Sequence, residues 1–367
     1  MPTFSFSTVH HDAVCVRACV CGSHVRQVLR NTKTGEWASV IPSAGGGVDD
    51  LHLLAPGAAT PTQVLWNHGR NATEVKHNPT WKGRILLPYA NRIGGAKYVF
   101  NGTEYHLPIN DVAGLNNSLH GLLYDRDMTV LATEATDHFA SVTLGYNFTG
   151  ADKGYPFALG VRLIYTLCAP GHPGCMSTTG SGWSITVEAT NLDAGGWPLP
   201  FYNGWHPYFV TQVDQATLSL DPCTSWNHVD VHTGPQYPPP RYSNMVPSGH
   251  TQEWRRFTGS QTFGGNASMP TYFDDEVKAR QSASCDAGYR YRLKSPKDGL
   301  TFVLATDAHY RYLQIFTGAK SAFGTIDAVV LEPLSAMSDA YNNHDGLHVI
   351  SAGETFTSKY GIYLDKL

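Results

Sequence analysis

Charge is scarce in this sequence. Asp, Glu, Lys and Arg together make up 15% of its 367 residues, where an average soluble domain carries about 25%. The formal net charge is -4, so the chain lacks the basic surface that nucleic acids and anionic membranes select. No apolar run reaches the length of a membrane-spanning helix, about 18 residues or more. The opening residues, MPTFSFSTVHHDAVCVRACVCG, lack the basic start and apolar core of a signal peptide, which favours a cytoplasmic chain. The low charge and five Asn-x-Ser/Thr sequons, at Asn71, Asn101, Asn116, Asn147 and Asn266, favour a secretory one. Both compartments stay open. Helical periodicity is missing as well. No window of about 12 residues carries an i, i+3, i+4, i+7 apolar stripe free of Gly or Pro, which excludes a helical bundle.

Cysteine is present but unpatterned for metal. There are 7, an odd number. Cys15, Cys19 and Cys21 alternate with Val in a strand-like run and lack the Cys-x-x-Cys spacing of a zinc site. Cys168 and Cys175 flank the turn-forming Ala-Pro-Gly-His-Pro-Gly, where a local disulfide and two free thiols are both open readings. Gly-rich phosphate loops and Gly-x-Ser-x-Gly elbows are absent; the run Ser43–Gly47 lacks the Lys-Ser/Thr of a phosphate loop.

What remains is strand and turn. Gly 36 and Pro 22 are abundant, as are aromatics at 11% with 8 Trp and 19 Tyr. Alternating or β-branched runs recur at Asp12–Cys21, Tyr98–Tyr105, Met128–Leu131, Ser141–Asn147, Leu159–Leu167 and Trp183–Thr190. Others follow at Ala216–Leu220, Tyr289–Leu293, Thr301–Ala305, Tyr312–Phe316, Ala328–Glu332 and Glu354–Tyr363. Turn pairs such as Asn101-Gly102 and Asp298-Gly299 separate them. This spacing predicts an all-β, large antiparallel β-sandwich. No linker and no internal repeat divides the chain, so one domain over residues 1–367 is expected, with Gln236–Pro240 and Gly259–Pro270 as surface loops.

Several segments carry chemistry-bearing side chains. In Asn203-Gly-Trp-His206-Pro-Tyr-Phe209, one imidazole sits among aromatic and prolyl neighbours. Burial lowers a His pKa and a nearby carboxylate raises it, so such a group suits proton transfer; a satisfied core histidine is the structural alternative. Glu332 ends the apolar run Ala328–Leu331, where a carboxyl is expensive unless paired or working. Arg92 and Asn91 follow a Pro-interrupted strand, and His120 precedes Gly121 in a turn; each reads either as a ligand contact or as a solvated or structural group. Asp274, in Tyr272-Phe-Asp-Asp-Glu276, reads as a site residue or as part of a solvated acidic turn. Gln314 is a polar residue on an apolar strand.

Taken in order, these segments resemble the aldose 1-epimerase (galactose mutarotase) family. The matching pieces are Leu87-Pro-Tyr-Ala-Asn-Arg-Ile93, Asn117-Ser-Leu-His-Gly121, Gly154-Tyr-Pro-Phe157 and Ala189-Thr-Asn191. After them come Gly204-Trp-His-Pro-Tyr-Phe209, Phe273-Asp-Asp275 and Leu331-Glu-Pro333. The similarity runs from about residue 35 to the C-terminus. The Gly-Trp-His-Pro-Tyr-Phe wording is closer to the broader branch than to the galactose-specific enzymes, which leaves the sugar open. The resemblance implies one large β-sandwich with an open sugar cleft. His206 would be the general acid toward the pyranose ring oxygen and Glu332 the general base toward the anomeric hydroxyl. His120 would bond near the ring oxygen, and Arg92, Asp274, Gln314 and Asn91 would surround the other hydroxyls. No cofactor or metal is implied. The expected partner is a free aldohexose, with no nucleic acid or membrane, acted on by a monomer or weak dimer. Alternatives are a hexose-6-phosphate 1-epimerase, for which Arg84, Arg92 and Lys97 are the candidate cations, and a non-catalytic carbohydrate binder on the same fold.

Overall fold

The computed structural model of the chain describes residues 8–10, 14–21, 24–68, 72–152, 154–172, 174–177, 180–229, 245–249, 251–254, 261–264, 273–280, 285, 287–317 and 327–366. Two large antiparallel sheets stack face to face. The nine-stranded sheet runs Thr129–Ala135, Phe139–Thr149, Ala158–Cys168, Gly182–Asn191, Thr355–Lys366, Leu300–Thr306, Arg290–Ser295, Thr217–Ser219 and Gln261–Thr262. Period-two patterning builds it: in Gly182–Asn191 the side chains of Ile185, Val187 and Ala189 are buried, while Thr186, Glu188 and Thr190 are less so. The eight-stranded sheet runs Thr251–Trp254, Trp226–Val229, Asp274–Ala279, Tyr312–Phe316, Ala328–Leu334, Gly204–Trp205 and Ile85–Leu86, with Tyr208–Val210 pairing on Ala328–Leu334. A six-stranded N-terminal sheet spans Thr8–His10 to Thr62–Gln63. The all-β architecture is the one expected.

Aromatic side chains fill the space between the two large sheets. Trp183 meets Trp205 at 5.4 Å between ring centroids, Trp205 stacks on Tyr360 at 5.4 Å, and Phe209 meets Phe302 at 6.0 Å. Each such ring withdraws about 150–250 Å² from water, worth at most roughly 4–6 kcal/mol before ordering entropy is subtracted. The buried cluster is continuous from Leu29 to Leu364.

The expected strands Ser141–Asn147, Leu159–Leu167, Trp183–Thr190 and Thr301–Ala305 are longer here by one or two residues at each end, whereas Ala216–Leu220 is shortened to Thr217–Ser219. Tyr98–Tyr105 is instead a hairpin, Lys97–Phe100 against Thr103–His106, because Asn101 adopts a positive φ of 50° and Gly102 one of 77°. The loop Gln236–Pro240 and most of Gly259–Pro270 lie outside the described residues. Cys168 and Cys175 are disulfide-bonded, and so are Cys223 and Cys285, a second pairing for which the sequence offered no local turn.

Buried tyrosines form a wall that steers the chain into the cleft. Tyr155 Oη donates to Pro200 O at 2.8 Å, Tyr98 Oη to Gly154 O at 2.9 Å, and Tyr341 Oη to both Pro88 O and Pro200 O at 3.2 Å. The Gly154–Phe157 motif is therefore scaffold. Tyr155 stacks on Tyr341 at 6.3 Å, and Tyr341 in turn bonds Pro88 O of the cis Leu87–Pro88 peptide that precedes Asn91 and Arg92.

Candidate active site

Strand register decides which side chains meet. Glu276 pairs with Gln314, and Gln314 with Glu332, so these three form one row across adjacent strands. Asp274, two residues from Glu276, shares its face; Asp275 points to the opposite face, where its Oδ1 lies 2.7 Å from His228 Nε2. Gly204–Trp205 turns at Pro207 into Tyr208–Val210, which carries His206 toward the same face as Glu332. His120 arrives from the separate two-stranded ladder that pairs Ser118–Leu119 with Arg92–Ile93. Its φ is +61°, and the next residue must let the backbone pass close to Leu87. A Cβ on Gly121 would sit 2.1 Å from Leu87 O.

All seven sequence-identified residues line one open cavity of about 260 Å³. The polar group is Asn91, Arg92, His120, His206, Asp274, Gln314 and Glu332; Trp81, Leu115, Met245 and Phe316 supply apolar wall. His206 Nε2 lies 3.5 Å from Glu332 Oε1, with both side chains under 10% exposed. His206 Nδ1 and Glu332 Oε2 have no hydrogen-bond partner among the described residues. Burial pushes the imidazole of His206 down to about 3. Burial also pushes the Glu332 carboxyl well above its usual range; Asp274 and Glu276 add to the rise, and Arg92 opposes it. Burial thus disfavours the charged form of both partners. A neutral pair and an imidazolium–carboxylate pair have the same net charge, so moving this one proton across the gap needs no change in the cleft's total charge.

The two histidines have different chemical freedom. His120 Nδ1 accepts the main-chain N–H of Asn91 at 3.3 Å, which leaves its ring proton on Nε2 as a fixed donor. Burial holds His120 neutral, and the neighbouring His206 and Arg92 push the same way. His206 has no such tie. Ligand atoms of His120, His206 and Glu332 lie within 4.8 Å of one another, close enough for a metal. A metal-binding His donates through its second ring nitrogen. The Asn91 N–H aimed at Nδ1 opposes that arrangement, so the donor set does not fit a metal as it stands.

The remaining groups are interlocked. Gln314 Nε2 donates to Asp274 Oδ1 at 2.6 Å, and Asn91 Nδ2 donates to Gln314 Oε1 at 3.4 Å. Arg92 Nε donates to Asp111 Oδ2 at 2.8 Å and a terminal guanidinium nitrogen to Oδ1 at 3.4 Å. Burial works against the Arg92 charge, but Asp274 and Asp111 outweigh it and hold the guanidinium protonated. Sequence reasoning missed Asp111 and Trp81, and treated Tyr208 and Glu276 only as neighbours. Asp111 is 19 residues from Arg92 with no periodicity linking them, and no local signal finds such a contact.

The class of protein is defined by a two-sheet antiparallel β-sandwich with a buried histidine–carboxyl pair in a polar, partly apolar-walled cleft. The family model described as aldose 1-epimerase matches residues 28–363. The chain belongs to the aldose 1-epimerase family. It is 26% identical to the uncharacterized protein YihR of Escherichia coli K12 over 338 residues, covering 90% of this chain and 91% of that one. It is 27% identical to the galactose mutarotase of Rattus norvegicus over 147 residues, covering 35% of this chain and 41% of that one. Its fold matches a galactose mutarotase-like protein from Clostridium acetobutylicum with a TM-score of 0.72 at 16% identity, over 97% of this chain and all of that one (100%).

Proposed function

We propose that the chain interconverts the α and β anomers of a free aldohexose, with His206 and Glu332 exchanging protons with the substrate. The observation that carries this is the buried pair 3.5 Å apart, each partner keeping one polar atom without a hydrogen-bond partner among the described residues. Anomerisation needs one donor at the ring oxygen and one acceptor at the anomeric hydroxyl. The pair holds one transferable proton, which is the required inventory. With His206 protonated and Glu332 ionised, His206 protonates the ring oxygen while Glu332 takes the anomeric proton. The C1–O5 bond breaks, the aldehyde rotates about C1–C2, and reclosure on the other face returns both protons. His120 Nε2–H donates beside the ring oxygen. Arg92, Asp274, Gln314 and Asn91 hold the other hydroxyls, and Phe316 and Trp81 offer apolar surface to the C–H faces of the ring.

The phosphorylated alternative needs cations beside the cleft. Arg84 is turned inward, donating to Ala44 O and Val75 O at 2.7 Å each. Lys97 is exposed and lies 3.9 Å from Glu104. Arg92 is the one cation lining the cleft among the described residues, and Asp111 pairs it. These positions favour the unphosphorylated sugar.

The test is anomer exchange followed by polarimetry and NMR on α-glucose, α-galactose and their 6-phosphates. Wild type is expected to accelerate exchange of a free hexose. His206→Ala and Glu332→Gln are each expected to lower kcat by about 10²–10⁴-fold. No acceleration of any free or phosphorylated hexose would reject the enzyme in favour of a binder, and acceleration of the phosphates alone would reverse the substrate assignment.

A further inference from the structure

The orientation of His206 needs an explanation that the reaction pair does not supply. Catalytic imidazoles are commonly fixed by a hydrogen bond to the nitrogen that does not react, but His206 Nδ1 has no such partner among the described residues. Packing holds the ring instead. Tyr208 lies nearly parallel to it, with centroids 5.3 Å apart and planes at 18°, and His120 meets it edge-on at 5.1 Å and 80°. Tyr208 is itself fixed at its far end, where the hydroxyl donates to Thr80 O at 2.6 Å.

Thr80 belongs to a turn that touches both histidines. In the same turn Trp81 lies against the His120 ring at 4.8 Å, and Gly83 N donates to His206 O at 2.9 Å. The turn is braced from within: Asn78 Oδ1 accepts from Lys82 N at 2.9 Å and from Thr80 Oγ1 at 3.0 Å, while Asn78 Nδ2 donates to Lys82 O at 2.8 Å. Below it Lys82 Nζ, buried, pairs with Glu74 and donates to Asn67 O at 3.1 Å. Asn78 and Trp81 adopt φ of 23° and 57°, the kind of strained backbone that persists only where surroundings over-determine it.

We infer that Tyr208 is a positioning residue for His206, acting through its ring and held in place by the Asn78–Gly83 turn. Its hydroxyl takes no part in proton transfer: it is committed to a main-chain carbonyl, and burial holds its proton far above the usual phenol range. The inference rests on the proton-transfer role proposed for His206.

Anomer exchange and histidine-selective ¹⁵N NMR on the full chain test it. Tyr208→Phe keeps the stacked ring and is expected to retain kcat within about threefold. Tyr208→Leu is expected to lower kcat about 10–100-fold with KM within about twofold, the cost of a misplaced reacting group. In a His206→Ala background the same substitution is expected to change kcat by less than about twofold, because a positioning effect vanishes with the group it positions. An equal loss with and without His206, or a kcat unchanged in Tyr208→Leu, overturns the inference. Tyr208→Met, closer in volume, substitutes if Tyr208→Leu does not fold. The NMR arm is independent of activity: the His206 ring signals are expected to shift in Tyr208→Leu and stay near wild type in Tyr208→Phe. Unchanged signals in both variants also refute it. A wild-type chain inactive on every hexose, with those shifts present, would instead remove the proposed reaction.

Discussion

Glu276 offers a clean test of how burial controls charge in this sheet. It lies in the row Glu276–Gln314–Glu332, is fully buried, and is not among the residues lining the cavity. Its carboxyl accepts Ser338 N at 3.2 and 3.3 Å and also the Ser338 hydroxyl. Burial pushes its pKa from 4.5 up to about 7, with the Ser338 bonds pulling the other way. Because the folded value is raised, the unfolded chain releases this proton first. The folded state is therefore favoured fully below pH 4.5 and loses that advantage as pH rises toward 7. A difference of about 2.5 units at 1.36 kcal/mol each makes the loss about 3 kcal/mol. Glu276→Gln removes the titration and keeps the shape, and it weakens the Ser338 contacts by about 1 kcal/mol. The variant is thus expected to be about 1 kcal/mol less stable than wild type near pH 4.5 and about 2 kcal/mol more stable near pH 8. Guanidinium unfolding of both proteins at half-unit pH steps measures the difference. A difference that stays flat between pH 4.5 and 8 would refute burial as the dominant influence on this carboxyl.

Asp111→Asn leaves Arg92 with a neutral partner in place of its two-pronged carboxylate. It is expected to raise KM about tenfold with kcat little changed, read from saturation curves of anomer exchange. Gly83 has φ of +71°, and a Cβ there would fall 1.9 Å from Val48 O. Gly83→Ala is expected to cost about 3–5 kcal/mol, visible as a lower guanidinium midpoint. The Cys223–Cys285 bridge closes 62 residues, for which loop entropy predicts about 4 kcal/mol of stabilisation. Replacing both with Ser is expected to lower the unfolding midpoint accordingly, with anomer exchange at 25 °C unaffected.

Strands were legible from apolar, β-branched or aromatic runs punctuated by turn residues. Tyr312–Phe316, buried on both faces, was bounded as it stands, and the long strands Phe139–Thr149 and Ala158–Cys168 were found but trimmed. Gly47–Leu53 was not found, because buried Asp49 and Asp50 interrupt the apolar pattern; Asp49 is paired with Arg26 at 2.6 Å, a contact no local window contains. The site was legible for a different reason. A Glu or His in an apolar run is costly, so Glu332 and His206 marked themselves, and the order of motifs identified the others. Asp274 and Asp275 could not be separated by period. The register against Phe316 and Ile315 puts Asp274 on the cleft face. The groups that hold the site, among them Asp111, Tyr208 and the Asn78–Gly83 turn, act through tertiary contacts and leave no spacing in the chain.

The proton inventory ties these features together. Burial drives the imidazole of His206 down to about 3 and the Glu332 carboxyl upward, so it biases both toward their uncharged forms. Side by side they trap one proton between them, and burial penalises only the charged arrangement of the pair. A bound sugar changes that penalty: its hydroxyls bring dipoles to the two unpartnered atoms, His206 Nδ1 and Glu332 Oε2 or their partners across the gap. In the proposed reaction, the charge-separated state with His206 as donor and Glu332 as acceptor is the one a bound sugar would favour. Arg92 favours the Glu332 carboxylate and Asp274 disfavours it, so both hydroxyl-holding charges also set how readily the proton crosses. On the proposed function, the side chains that would orient the sugar also govern the acidity of Glu332.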